Sequence, residues 1–169
     1  VMVVAKTEHA RAELKRQFKA RETEKLYLAL VRGQPPERGR IETLIDRHPV
    51  RRKRMAVVRE GGREAVSNFE TLERFAEASL VQVRIETGRT HQIRVHMAHL
   101  GHPVLGDAVY GPRRRPPPLD APRQMLHAAR LAFTHPASGK RLSFEAPVFD
   151  DMRLLLTQLR ECHEDGNHI

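Results

Sequence analysis

Residues 87–96 read TGRTHQIRVH and follow an apolar strand candidate, Ser79–Glu86. From His91 to Leu100 the apolar residues change from the alternation of a strand to the spacing of a helical face. Gly88 is predicted to let the strand turn sharply, and Gly101 is predicted to end the helix. This stretch therefore predicts a strand that leads directly into a short helix.

The remaining residues carry signals for further short strands and two more helices. The helices are predicted at Glu8–Arg21, with Thr7 as the N-cap, and from Asp150 to Leu159. The other strands are predicted at Val1–Lys6, Lys25–Arg32, Arg40–Leu44, Arg54–Val58, Ala65–Leu72, Leu131–Phe133 and Arg141–Phe144. Gly61–Gly62 is typical of a hairpin between the strands predicted at 54–58 and 65–72.

Many short strands with few helices, and without regular alternation of the two, predict an α+β fold. We expect a mixed, mostly antiparallel sheet with flanking helices. No internal repeat and no long linker divides the chain, so residues 1–160 are predicted to form one domain. Residues 161–169 are predicted to form a frayed tail.

The charge of the chain favours a polyphosphate partner. Its 169 residues include 30 Lys and Arg against 21 Asp and Glu, which gives a net charge of +9. A generic basic surface intersperses its charges, but here the cations occur in consecutive runs. The runs are Arg51, Arg52, Lys53 and Arg54, and Arg113, Arg114 and Arg115. This clustering favours nucleic-acid binding over a soluble protein that happens to be basic.

The sequence gives little support for a membrane protein, a secreted protein or a metal-binding protein. The apolar run Val1–Ala5 is too short to cross a bilayer, and no secretory signal pattern opens the chain. The single cysteine, Cys162, allows no internal disulfide, so a reducing cytoplasmic setting is expected. His96, His99 and His102 have a spacing that could share a metal, but no carboxylate or cysteine lies close in sequence. We interpret them as hydrogen-bonded or surface histidines and expect no metal.

The start of the predicted helix gathers several polar side chains. They are Arg89, Thr90, His91, Gln92 and Arg94. Helix N-termini expose free N–H groups and carry positive potential, so a carboxylate or phosphate could be held here. The alternative is that Arg89 and Arg94 are ordinary surface cations, and their spacing alone does not decide between the two interpretations.

Four sequence blocks resemble the RluA/RluD family of pseudouridine synthases, in the order of that family. They are Val1–Thr7 (VMVVAKT) with Ala12–Phe18 (AELKRQF), Lys25–Gly33 (KLYLALVRG), Ile85–Tyr110 (IETGRTHQIRVHMAHLGHPVLGDAVY) and Leu126–Pro136 (LHAARLAFTHP). The resemblance extends from Val1 to about Met152. The stretch Arg47–Val58 (RHPVRRKRMAVV) is more similar to the RluD branch, which modifies large-subunit ribosomal RNA, than to the branch that also modifies transfer RNA.

The resemblance implies that residues 1–160 are the C-terminal portion of a pseudouridine synthase catalytic domain. Such enzymes break the N1–C1′ bond of a uridine, turn the uracil and join C5 to C1′. The reaction needs an aspartate as nucleophile or general base, a base removed from its stack and a pocket that retains the uracil. It needs no metal and no cofactor. The expected partner is RNA, ribosomal rather than transfer RNA, and we expect a cytoplasmic monomer without membrane attachment.

By resemblance, Arg94 pairs with the catalytic aspartate and orients it, while Tyr27 stacks on the uracil. The alternative for Tyr27 is a half-buried strand tyrosine without a catalytic role. Leu126 is expected to line the same pocket. The other residues expected to bind substrate are Lys25, Arg89, Thr90, His91 and Gln92, with Arg51, Arg52, Lys53 and Arg54 on the RNA backbone.

One family motif falls outside these residues. In the family, the catalytic aspartate lies in an H-R-L-D-x-x-T-S-G segment directly before the strand that corresponds to Val1–Lys6. The chain opens just after that position, and Asp107 belongs to a different block and is not expected to replace the nucleophile. We therefore expect these residues alone to be inactive, without an S4-like N-terminal domain. The alternatives are a non-catalytic RNA-binding domain of the same fold and an unrelated basic α+β module.

Overall fold

A seven-stranded sheet organises the chain. The computed structural model describes residues 1–51, 54–112 and 121–165. The helices are α1 (Glu8–Lys19), α2 (Gln92–His99) and α3 (Asp150–Asp165). The strands are β1 (Glu24–Arg32), β2 (Arg38–Arg47), β3 (Met55–Val58), β4 (Arg63–Arg74), β5 (Ala78–Ile85), β6 (Leu126–Thr134) and β7 (Arg141–Glu145). Their order is β3-β2-β4-β5-β1-β6-β7, and every pair of neighbours is antiparallel, which confirms the α+β prediction.

Strand β1 forms the centre of the core. Its residues Ala29, Leu30 and Val31 are fully buried, as expected for a strand covered on both faces. Helix α3 contributes Met152 and Leu155 to the same hydrophobic cluster. Among the described residues, no helix is long and apolar enough to cross a membrane.

Helix α1 begins as the sequence predicts and ends slightly earlier. The Thr7 hydroxyl accepts a hydrogen bond from the Ala10 amide at 3.2 Å, so Thr7 is the N-cap. Arg21 adopts a left-handed conformation with φ of 59°, which ends the helix ahead of it. Gln17 is fully buried and exchanges hydrogen bonds with both backbone groups of Thr134, which fixes α1 against β6.

The predicted strand at Val1–Lys6 is wrong. In this segment Val1 and Val3 are partly buried and Met2 and Val4 are exposed, but it joins no strand of the described sheet. The reason is that β6, the strand it packs against, has β1 on one side and β7 on the other. The Val1 amino group reaches the sheet only through the Ala128 carbonyl oxygen, at 2.7 Å.

The predicted hairpin at Gly61–Gly62 is also wrong. Strands β3 and β4 lie on opposite edges of β2, so the chain crosses β2 instead of folding back on itself. At the crossing, a Cβ added to Gly62 would lie 3.0 Å from Leu44 Cβ and 3.2 Å from the Ile45 nitrogen. Glycine is needed here for close approach to the backbone rather than for a tight turn.

Helix α3 runs through Asp165, beyond the predicted end at Leu159. Residues 161–165 therefore continue the helix instead of starting a frayed tail. The remainder of the predicted tail, 166–169, and the predicted basic run Arg113–Arg115 lie outside the described residues.

Candidate functional site

Gln92 builds the turn between β5 and α2. It is only 3% exposed, and its amide nitrogen donates to the Val66 carbonyl at 2.9 Å and to the Ser67 hydroxyl at 3.0 Å. Its amide oxygen accepts from the Thr87 hydroxyl at 2.7 Å and from the Arg89 amide at 3.0 Å. Gln92 is predicted to bind substrate; in the structure its buried amide group holds the turn between β5 and α2.

His91 supplies the left-handed residue that the turn requires. Its φ is 57°, a left-handed conformation, whereas the φ of Gly88 is not positive. The Nδ1 atom of His91 lies 3.0 Å from the Tyr110 hydroxyl. Burial, with the neighbouring guanidinium of Arg94, lowers the pKa of His91 below its ordinary value, which favours the neutral ring. Thr90 is exposed at the surface of this turn.

Arg94 forms a buried, bidentate ion pair with Asp107. The Nε–Oδ2 and Nη2–Oδ1 distances are 2.7 and 2.8 Å, and the two side chains are 13% and 0% exposed. Asp107 Oδ1 also accepts from the Val109 and Tyr110 amides at 2.9 and 3.0 Å. The hydrogen bond to Asp107 raises the pKa of Arg94 against the effect of burial. Arg94 is therefore not an ordinary surface cation.

Asp107 is held as an ionised carboxylate by donors of its own fold. Burial alone would raise its pKa, but the hydrogen bonds from Arg94 and from the Tyr110 and Val109 amides outweigh burial and lower the pKa. The carboxylate is ionised and its oxygens are occupied by these donors. That Asp107 does not replace the family's nucleophile stays a prediction.

Tyr110 links this ion pair to the basic run, and sequence reasoning did not single it out. Its side chain is 8% exposed, and its hydroxyl accepts a hydrogen bond from the Met55 amide at 2.9 Å. The guanidinium carbons of Arg54 and Arg94 lie 5.1 and 5.0 Å from the centre of its ring. The sequence carried one signal for this residue. Asp107 lies three residues before Tyr110, and at that spacing an Asp side chain can accept a hydrogen bond from the backbone of a turn.

The basic run is only partly described. Arg51 is exposed, and its amide donates to His48 Nδ1 at 3.1 Å. Arg54 is partly buried, and its Nε makes no hydrogen bond within the described residues. Arg52 and Lys53, both predicted to contact RNA, lie outside the described residues. Arg54 is therefore held against the folded domain instead of extending freely into solvent.

Tyr27 and Leu126 lie on one face of two neighbouring strands. Tyr27 is paired with Ala128 and Ala29 with Leu126, so Tyr27 and Leu126 are diagonal neighbours. Tyr27 lines a cavity of about 240 Å³, which Lys25 and Ala128 also line. Burial raises the pKa of Tyr27, so the phenol stays neutral at neutral pH.

Helix α2 covers the same face of the sheet. Tyr27 pairs with Val83, and Val83 pairs with Phe69, so these three side chains share one face of the sheet. Ser67 lies two residues before Phe69 in the same strand and therefore shares that face. Ser67 bonds to α2 through Gln92, so the helix that carries Arg94 lies over this face. The fold thus places Tyr27, Leu126 and the helix that carries Arg94 on one side of the sheet, and their roles towards the substrate stay predictions.

Lys25 is an almost buried ammonium group beside Tyr27. It is 6% exposed, and its Nζ donates to the Glu86 carbonyl at 3.1 Å and lies 5.7 Å from the centre of the Phe18 ring. Burial, followed by the charges of Arg21 and Arg89, lowers its pKa. Lys25 has no carboxylate within salt-bridge distance among the described residues, which leaves its charge available to an anion.

The spaced histidines have structural partners. His96 is fully buried, with Nε2 and Nδ1 each 2.9 Å from the hydroxyls of Thr43 and Ser67, and burial lowers its pKa to about 4. His102 Nδ1 lies 2.9 Å from the backbone carbonyl of Arg32. These contacts confirm the hydrogen-bonded interpretation for both residues. No cluster that could hold a metal occurs within the described part of the chain.

Comparison with known proteins agrees with this geometry. Residues 1–99 match the family described as RNA pseudouridylate synthase. The chain is 48% identical over 161 residues to an uncharacterized RNA pseudouridine synthase of Chloroflexus aurantiacus, a match that covers 95% of the chain and 50% of that protein. It is 45% identical over 174 residues to ribosomal large subunit pseudouridine synthase D of Pseudomonas aeruginosa, covering 97% of the chain and 54% of that protein.

The chain thus spans about half the length of the curated relatives it matches. Among solved structures, human RNA pseudouridylate synthase domain containing 1 is 30% identical, with a TM-score of 0.71. That match covers 93% of the chain and 74% of the human protein. The chain therefore belongs to the RNA pseudouridylate synthase family and is of its RluA/RluD type.

Proposed function

We propose that the protein containing these residues isomerises specific uridines to pseudouridine in large-subunit ribosomal RNA. The observation that carries the proposal is that Tyr27, Leu126 and the helix that carries Arg94 lie on one face of the sheet, although they are distant in sequence. The ribosomal substrate is supported by the similarity of Arg47–Val58 to the RluD branch and by relatives with that name. We further propose that the enzyme is a cytoplasmic monomer.

In this proposal, Tyr27 and Leu126 receive the uracil after it leaves the RNA stack. Because the Tyr27 phenol is neutral and half-buried, it offers an aromatic face without introducing a negative charge beside the base. The reaction breaks N1–C1′ and forms C5–C1′ within one nucleotide, so its atoms balance without a redox partner. The site must retain the detached uracil while it turns, which a cavity lined by protein can achieve.

Arg94 is proposed to orient the nucleophilic aspartate of the family's H-R-L-D-x-x-T-S-G segment. A guanidinium has five N–H donors, and Asp107 is bound through Nε and Nη2. Within the described residues, Nη1 forms no hydrogen bond, so it remains available to a second carboxylate. Burial and nearby phosphates disfavour an ionised aspartate, and a fixed guanidinium opposes both effects. Asp107 is then a positioning residue that fixes Arg94.

The test uses a protein in which the H-R-L-D-x-x-T-S-G segment precedes Val1, with Arg94→Ala and Arg94→Lys variants. Single-turnover formation of pseudouridine in unmodified ribosomal RNA is measured at saturating enzyme, beside a binding titration. We expect Arg94→Ala to slow the reaction by about 10²-fold or more while RNA affinity changes only a few-fold. Arg94→Lys should recover part of the rate because it keeps the charge but not the bidentate geometry.

Residues 1–169 alone serve as the control and are expected to form no pseudouridine above background. A normal single-turnover rate for Arg94→Ala would remove Arg94 from the catalytic mechanism. Weaker binding with a normal rate at saturation would instead identify Arg94 as a phosphate contact. Turnover by residues 1–169 alone would show that the nucleophile lies among them.

A further inference from the structure

Four cationic side chains lie near one another beside the cavity that Tyr27 lines. They are Arg21 in the turn after α1, Lys25 in β1, Arg63 at the start of β4 and Arg89 in the turn before α2. We call them the four-cation cluster. Lys25 belongs both to the cluster and to the lining of the cavity, so the two features adjoin.

Two glutamate residues anchor the cluster. Arg89 Nε donates to the backbone carbonyl of Glu64 at 2.7 Å, and the Arg21 guanidinium pairs with the Glu64 carboxylate. Arg21 Nη1 also lies 3.8 Å from the carboxylate of Glu86, whose backbone carbonyl accepts from Lys25. Two of these contacts use backbone oxygens, which position the cations without neutralising them.

The charges of the cluster do not balance. It holds four cations against the two glutamates, and the second glutamate also pairs with Arg40. Burial, followed by the charges of Arg63 and Arg21, lowers the pKa of Arg89. Burial, followed by Arg21 and Arg89, lowers that of Lys25. Burial is the larger cause for both residues, and the repulsion from the other cations adds to it; an anion bound among the cations would relieve that repulsion.

We propose that the four-cation cluster binds a backbone phosphate of the RNA, next to the nucleotide whose base enters the Tyr27 cavity. The proposal rests on the proposed function, because it takes RNA as the ligand. Arg21 and Arg63 are exposed and can reach a phosphate in solvent, while Lys25 and Arg89 lie deeper and are held by the backbone. Phosphate oxygens would accept charge-assisted hydrogen bonds from these donors.

The experiment compares two double variants that each remove two positive charges. Arg21→Gln with Arg63→Gln tests the cluster. Arg11→Gln with Arg153→Gln is the matched control, since these arginines are 65% and 67% exposed and each pairs with a carboxylate three residues away. Binding of a fluorescent polyuridine RNA is titrated across a salt series. The probe is about 20 nucleotides long, which exceeds one binding site.

We expect the cluster variant to bind several-fold more weakly and its salt slope to fall by about 1.4–1.8, which is two contacts at roughly 0.7–0.9 each. The control should keep the slope of the unmodified chain. Equal losses in both variants, or no loss in the cluster variant, would overturn the proposal. Failure of the unmodified chain to bind RNA would overturn the proposal through its ligand, while the proposed function is tested separately by pseudouridine formation.

Thermal unfolding of both variants shows whether they remain folded. If the cluster double variant does not fold, Arg63→Gln alone replaces it, because Arg63 is exposed at the start of a strand. The single variant should lower the salt slope by about 0.7–0.9. An unchanged slope in this variant would equally overturn the proposal.

Discussion

Replacing Asp107 by asparagine tests how much the buried ion pair contributes to the fold. The substitution keeps the shape of the side chain, so it creates no cavity, but it removes the negative charge. Arg94 would then be a largely buried guanidinium, 13% exposed, without its ionic partner. The two carboxylate oxygens of Asp107 now accept hydrogen bonds from Arg94 and from the Val109 and Tyr110 amides. In asparagine an NH2 group replaces one of these oxygens, and that group can only donate.

Breaking a buried ion pair by removing one partner costs about 3–5 kcal/mol. For a domain of this size, each kcal/mol corresponds to about 2–4 °C, so the melting temperature should fall by about 6–20 °C. The matched control is Glu73→Gln. Glu73 pairs with Arg160 in the same bidentate geometry, at 2.8 and 2.6 Å, but the side chains are 34% and 50% exposed. An exposed pair contributes about 0–1 kcal/mol.

Both variants would be compared by chemical denaturation and thermal unfolding at pH 7. The pKa of Asp107 is lowered in the fold, so its contribution is complete above the ordinary value of 3.8 and is lost as the pH falls through the lowered value. The difference in free energy of unfolding between Asp107→Asn and the unmodified chain should therefore have its full size at pH 7 and become smaller in strong acid. Equal, small losses for Asp107→Asn and Glu73→Gln would refute the reasoning from burial.

Two further predictions concern the core. The pKa of His96 falls from 6.5 to about 4 in the fold, so the unfolded chain binds the extra proton first and the free energy of unfolding should decrease as the pH falls from 6.5 towards 4. His96→Gln should show a smaller decrease in denaturation curves over that range. Gly106→Ala should destabilise far more than Gly101→Ala in thermal unfolding. Both glycines have positive φ, but only the Cβ added at Gly106 would collide with backbone, that of Arg123.

Local patterns identify most of the elements but not all of their partners. Lys25–Arg32 alternates strongly and lies within β1, and Thr7 caps α1 as predicted. Val1–Lys6 has an equally good strand pattern, yet β6, the strand that it packs against, is already paired with β1 and β7. Gly61–Gly62 signals a change of direction, but a local signal cannot specify which edge of β2 the chain joins afterwards. Sheet pairing depends on residues distant in sequence, so these two predictions failed where the elements themselves were evident.

The same distinction applies to the site. Resemblance identifies Arg94 and Tyr27 as important side chains, and the register of β1 with β5 and β6 places Tyr27 on the face beneath α2. The short sequence separation of Arg94 and Asp107 does not reveal that they pair, because the loop between them could fold in many ways. Gln92 lies among polar residues that suggest a binding surface, and only the fold shows that its amide is buried. Burial is the property that the sequence leaves open.

Tyr110 joins two features that the sequence keeps apart. Its hydroxyl accepts from the amide of Met55, the residue directly after the basic run, and its own amide donates to Asp107, which holds Arg94. Its ring lies against Arg54 from the basic run and Arg94 from α2. Under the proposed function, a cation that contacts the RNA backbone and a cation that orients the nucleophile therefore share one aromatic ring. Because both guanidinium groups pack against that ring, we expect RNA docking at the basic run to affect the geometry of Arg94 through Tyr110, and replacement of Tyr110 to remove the effect.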